Sequence, residues 1–131
     1  MFLHQLNNSE RKAFIELAHL VANASGIIND QERQMIDTYS REMEISIKVE
    51  DVEELSLEHI IAKFESEASK KVSFIEAIAI AYADGVYEEE EKQVINRIRE
   101  AYGFSQEYYE DVKAWLISFN EIYLKGLELS N

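Results

Sequence analysis

Ala24-Ser25-Gly26-Ile27-Ile28-Asn29-Asp30-Gln31-Glu32-Arg33-Gln34-Met35-Ile36 has a counterpart later in the chain, Ala83-Asp84-Gly85-Val86-Tyr87-Glu88-Glu89-Glu90-Glu91-Lys92-Gln93-Val94-Ile95. Gly26 to Gly85, Glu32 to Glu91 and Ile36 to Ile95 are each 59 residues apart. Equal spacing means that one supersecondary unit is used twice. In each copy a glycine follows an apolar helical run, and an acidic helix start comes a few residues later. The unit therefore reads as helix, elbow, helix.

Working outward, the first unit begins with Ser9 as a candidate N-cap and Glu10 in the first turn. Phe14, Leu17, Ala18, Val21 and Ala22 then recur at three- and four-residue steps, one face of a helix that Gly26 closes. Asn29 with Glu32 matches a capping box, and Met35, Ile36, Tyr39 and Met43 form the apolar stripe of the second helix. Between Ile45 and Leu55 no pattern dominates. Ser56 caps a short connector carrying Leu57, Ile60, Ile61 and Phe64. The second unit opens near Ser69 and runs to Asp84. Its stretch from Phe74 to Ala83 is apolar nearly all round, which places that helix at the centre of a bundle. Gly85 ends it, a further helix starts near Glu88, and Gly103 stops that one after Val94, Ile95, Ile98 and Tyr102. Ser105 caps a closing helix whose Tyr108, Val112, Trp115, Leu116, Phe119 and Tyr123 are expected to face the core.

No run alternates as a strand does. The expectation is an all-α, single-domain bundle of about six helices, with pseudo-repeat halves at about 9–44 and 69–103 and a closing helix over 105–127. The chain has 131 residues, 47% of them apolar, no proline and four glycines. That length sustains a buried core, and that composition suits long helices. Absence of cysteine excludes a disulfide framework, a thiolate metal site and a cysteine nucleophile, and it fits a reducing compartment. The net charge is −13. Phosphate backbones and anionic lipid repel such a chain, so neither nucleic acid nor direct membrane insertion is expected, whereas cations and basic protein partners are. The start Met1-Phe2-Leu3-His4-Gln5-Leu6 lacks the basic and long apolar segments of a signal peptide. A cytoplasmic location is the expectation.

The chemistry-bearing residues gather at the elbows. The second holds Asp84, with Glu88, Glu89, Glu90 and Glu91 in the turn that follows. If the chain reverses at Gly85, Asp84 and the carboxylates of Glu88 and Glu91 converge into the oxygen cluster that a hard divalent cation takes. A metal-free reading stands beside it. Glu88 and Glu91 also fit an N-cap and its capping-box partner, and first-turn carboxylates favour the helix dipole unaided. In the first elbow Glu32 remains, but Ser25 replaces the loop aspartate, which weakens any site there. The Asp-x-Asp-x-Asp-Gly pattern of an EF-hand is missing. His4, His19 and His59 are scattered and fit helix-surface roles better than a three-His site. No nucleophile motif or phosphate-cradling loop occurs, so no catalytic residue is assigned. At the aromatic end, Trp115 and Phe119 should share a face, while Tyr109 should point away from the core and could serve an interface.

The repeated pattern, Leu17 to Gly26 with Glu32 and Ala79 to Tyr87 with Glu91, resembles the TerB-like family. That family includes the tellurite-resistance protein TerB and the amino-terminal domain of DjlA-type co-chaperones. The resemblance spans about residues 9 to 123. It implies two related helix-loop-helix halves whose loop acids, here Asp84 and Glu91 with Glu32, suit a divalent metal of unspecified identity. It further implies a stress- and tellurite-resistance role, as partner or scaffold and not as an enzyme. Two other functions stay open: a metal-free helical adaptor, and a metal-dependent hydrolase built on the carboxylate cluster.

Overall fold

A computed structural model describes residues 1–26, 28–45, 55–82 and 87–131. After a short 3-10 turn at Leu3–Gln5 the chain forms α1 (Asn8–Ala22), α2 (Asp30–Glu42), α3 (Leu57–Ile61), α4 (Glu67–Ala81), α5 (Glu89–Tyr102) and α6 (Gln106–Ser130). The all-α expectation holds, with no strand among the described residues.

The repeat governs the helix ends more closely than the sequence pattern suggested. α1 and α4 start after N-caps Asn7 and Ser66, end at Ala22 and Ala81, and are followed by α2 and α5 at Asp30 and Glu89. Each of these pairs is offset by the same 59 residues as the elbows. The offset continues to the far ends. Glu44 and Gly103 both adopt the left-handed conformation, with φ of 57° and 76°. One residue later, the Ile45 amide donates to the Ser40 carbonyl at 2.9 Å and the Phe104 amide to the Arg99 carbonyl at 3.0 Å. This is the six-to-one bond of a Schellman ending, made twice.

Both first helices of the halves begin earlier than expected from Ser9 and Ser69. In α1 the Glu10 amide donates to Asn7 Oδ1 at 2.9 Å and the Asn7 amide donates to Glu10 Oε1 at 3.0 Å. A capping box with asparagine as its cap thus outcompetes the lone serine two positions on. In α4 the Ser69 amide donates to Ser66 Oγ at 3.0 Å. Ser56 and Ser105 cap α3 and α6, and Gly103 stops α5, as predicted. α4 ends at Ala81, short of Asp84. The predicted stop at Gly85 and most of the patternless stretch after Ile45 lie outside the described residues.

α4 is the hub. It packs against α1, α2, α5, α6 and the amino-terminal turn, while α1 packs against α2, α3, α4 and α5. Phe74, Ala77, Ile78 and Ile80 of α4 are fully buried, together with Phe14, Leu17, Ala18 and Val21 of α1 and Ile95 and Ile98 of α5. Each large apolar side chain removed from water in this way contributes about 1.5–3 kcal/mol. Ile36, Tyr39 and Met43 bring α2 into the same core.

α6 corrects the expectation for the aromatic end. Tyr109, Val112 and Leu116 are buried, whereas Trp115, Phe119 and Tyr123 are exposed. Tyr109, expected to face outward, packs its ring 6.4 Å from that of Phe74 and donates its hydroxyl to Tyr87 Oη at 3.1 Å. Trp115 and Phe119 do share a face, with ring centroids 5.8 Å apart. Trp115 stands beside buried Leu116 with its ring 6.0 Å from that of Phe2, whereas Phe119 and Tyr123 lie beyond the last buried residue of this 25-residue helix, which is longer than the 15-residue α4 against which it packs.

Candidate functional site

The two elbows end in the same device. In the first, the Glu32 amide donates to Asn29 Oδ1 at 2.8 Å and the Asn29 amide donates to Glu32 Oε1 at 3.1 Å. In the second, the Glu88 amide donates to Glu91 Oε1 at 3.2 Å. Glu32 and Glu91 are 3% and 2% exposed, so both carboxylates sit inside the first turn of a helix, beside its electropositive end. Each therefore performs the capping that the metal-free reading assigns it. Glu88, Glu89 and Glu90 stay exposed, so the second elbow carries an outward fringe of acid that the first, with exposed Asp30 and Ser25, matches only in part.

Tyrosines buttress the second elbow. The rings of Tyr82 and Tyr87 lie 4.3 Å apart across it, and Lys92 Nζ stands 5.4 Å over the Tyr87 ring. Burial pushes the Tyr82 hydroxyl up to about 12. Tyr87 is raised by burial and by the hydrogen bond from Tyr109. These phenols are neutral and serve as packing and hydrogen-bonding groups.

Asp84 lies outside the described residues, so its distance to Glu88 and Glu91 is not described. Among the described residues no group of three or more His, Cys, Asp or Glu side chains is arranged to hold a metal ion. Glu32, Glu88 and Glu91 thus form no ligand set without a loop contribution. The histidines are dispersed as expected: His4 and His59 are exposed, and His19 is half-buried on α1.

Two carboxylates that the sequence reading passed over prove to be buried. Glu76 lies within the apolar run of α4 and is 1% exposed. Its Oε1 accepts from the Met1 ammonium and from the Phe2 amide, each at 2.9 Å. Glu16 of α1 pairs with Lys63 Nζ at 3.3 Å. The only sequence signal for either was a charge on an otherwise apolar face. Glu76 opens onto a cleft of about 690 Å³ between α2, α4 and α6, and Glu16 onto one of about 580 Å³ that His19, Glu58 and Arg97 also line.

With this geometry in hand, the family-model comparison is decisive: residues 11–114 match the model described as tellurite resistance protein TerB. The chain belongs to the TerB family. No curated protein and no solved structure matches it. The match takes in both helix-elbow-helix halves and stops within α6, so TerB membership leaves the last turns of that helix outside. No described helix of this TerB-family chain is long and apolar enough to cross a membrane.

Proposed function

We propose that this TerB-family chain is a non-enzymatic binding module of the tellurite- and stress-resistance type, acting in the cytoplasm. Its second elbow takes a divalent cation through Asp84, Glu88 and Glu91, and its acidic surface meets a basic protein partner. One observation carries the cation reading. Glu88, Glu89 and Glu90 are all exposed around a loop that also contains Asp84, and crowded carboxylates repel one another until a cation relieves them. Glu32 and Ser25 make the first elbow the weaker site.

Titration calorimetry and thermal scans with calcium, magnesium, manganese and zinc test this. A bound ion raises Tm by mass action, and Asp84→Asn is expected to abolish the rise. No heat and no shift with any of the four removes the cation from the proposal.

A specific observation favours a second reading, a metal-free adaptor. Glu32 and Glu91 already accept the amides of Asn29 and Glu88, which explains their burial without an ion. Under that reading Asp84→Asn leaves the cation response as it was, at nothing.

A further inference from the structure

Beyond Trp115, whose ring still meets that of Phe2 at 6.0 Å, the distal half of α6 is largely exposed. Trp115, Ile117, Phe119, Ile122, Tyr123, Leu124, Leu127 and Leu129 are 41–79% exposed. Isolated apolar residues on a surface are ordinary, but eight within fifteen residues of one helix are not. Three of them lie on one line. Tyr109, Val112 and Leu116 use the face against the core, and Phe119, Tyr123 and Leu127 continue it at three- and four-residue steps. Ring contacts follow it outward, from Trp115 to Phe119 at 5.8 Å and from Phe119 to Tyr123 at 6.5 Å.

We propose that this face is the contact between two copies of the chain, paired antiparallel through the distal halves of α6. Three observations choose a second copy over other occupants. The first is charge. Glu121, Lys125 and Glu128, the charged residues beyond Leu116, all fall on the reverse of the helix at 3.6 residues per turn. The seam itself is uncharged, so nothing in it selects a basic or an acidic partner. It is also where two copies of a chain of net charge −13 can approach with least repulsion.

The second is area. At roughly 200 Å² per large apolar residue, the exposed fractions of Phe119, Ile122, Tyr123, Leu124 and Leu127, the residues within about 100° of the seam, sum to on the order of 550 Å² per copy. The two copies together then bury about 1,100 Å², just above the roughly 1,000 Å² that a specific but weak interface clears.

The third is self-complementarity. Beside the same face lies the cleft of about 690 Å³, lined by Met35, Tyr39, Ala79 and Tyr82 together with Phe119 and Tyr123. Its acids, Glu42 and Glu76, share the Met1 ammonium, at 3.5 and 2.9 Å, and the side chains named above give the cleft an apolar wall for a guest. A two-fold axis near Tyr123, midway between Leu116 and Ser130, lays the last turns of each α6 over the cleft of the other copy. Projection and recess occur on one molecule, as an isologous contact requires.

Sedimentation equilibrium on the full chain, over micromolar to near-millimolar concentration, tests the pairing. The mass is expected to climb towards twice 15.2 kDa. Tyr123→Glu and Leu127→Glu replace exposed residues, so circular dichroism and thermal unfolding at low concentration should match the parent. Their association is expected to weaken about tenfold or more. The chain has no cysteine, so Tyr123→Cys near the axis should oxidise to a covalent dimer, while Glu121→Cys on the reverse should not. A monomeric mass throughout overturns the proposal. So does a dimer indifferent to Tyr123→Glu, equal cross-linking at both cysteines, or a monomer that instead co-sediments with zwitterionic lipid vesicles.

Discussion

Glu91 is the residue where the cap and the cation can be told apart. Its Oε1 accepts the Glu88 amide at 3.2 Å from a side chain that is 2% exposed. Glutamine also serves at this position of a capping box, so Glu91→Gln keeps an acceptor in place and removes only the charge. Hydrogen bonds to charged acceptors contribute about 1.5–3 kcal/mol and neutral ones about 0.5–1.5 kcal/mol. Glu91→Gln should therefore cost about 1 kcal/mol, and Glu91→Ala, which strands the amide, about 2 kcal/mol. An unfolding entropy of ~2.1 cal/mol/K per residue over 131 residues makes 1 kcal/mol worth about 4 °C. The expected falls in Tm are then about 4 °C and about 7 °C. A cation at a hundredfold excess over its Kd adds about 2.7 kcal/mol, or roughly 10 °C, to a chain that binds it. Scanning calorimetry on parent, Glu91→Gln and Glu91→Ala, with and without the divalent ion, resolves all of these. The glutamine variant is expected to lose the ion-induced rise while keeping most of its stability. If it falls as far as the alanine variant, the cap reasoning is wrong. If it keeps the full ion-induced rise, Glu91 is not a ligand.

Other outcomes follow from the same structure. Glu44 holds a left-handed φ of 57° where its repeat equivalent is glycine. Glu44→Gly should raise stability by up to about 1 kcal/mol in denaturant titration, and Gly103→Ala should lower it by about as much. Burial lifts Tyr82 and Tyr102 from the ordinary 10.0 to about 12, and it raises Tyr39, Tyr87 and Tyr108 as well. The folded chain holds these protons more tightly than the unfolded one. Stability should thus be complete below about pH 10 and fall as pH rises through about 12. Phenolate absorbance should then appear together with loss of helix, and phenolates titrating at their ordinary value with the helices intact would contradict the burial.

The capping box at Asn29 and Glu32, the caps at Ser56 and Ser105 and the stop at Gly103 were legible because each is a local device, complete within six residues. The central position of α4 was legible from an apolar run broken only by Glu76. What escaped the sequence was non-local. Glu76 reads as a charge out of place until its partner, the Met1 ammonium, is seen across 75 positions of chain. Periodicity puts Phe119 and Tyr123 on the face of Leu116 correctly, but it carries no information on how far the neighbouring helices reach, so it assigns to the core two residues that lie beyond it. Adjacent Tyr108 and Tyr109 differ in a way the pattern does not resolve, because both rings reach Phe74, at 6.0 and 6.4 Å, yet Tyr109 is buried and Tyr108 half-buried. At the candidate site the sequence located the carboxylates, and the structure added that Glu32 and Glu91 are engaged with backbone amides.

The matched helix ends around the elbows invite an exchange of the two connections. Ala22 to Asp30 and Ala81 to Glu89 span equal lengths of chain. A hybrid carrying residues 83–91 in place of 24–32 would thus install aspartate and the glutamate fringe in the first half while keeping the length of chain between the helices. Such a graft converts an accident of duplication into an instrument, because any property that resides in the loop alone should travel with it.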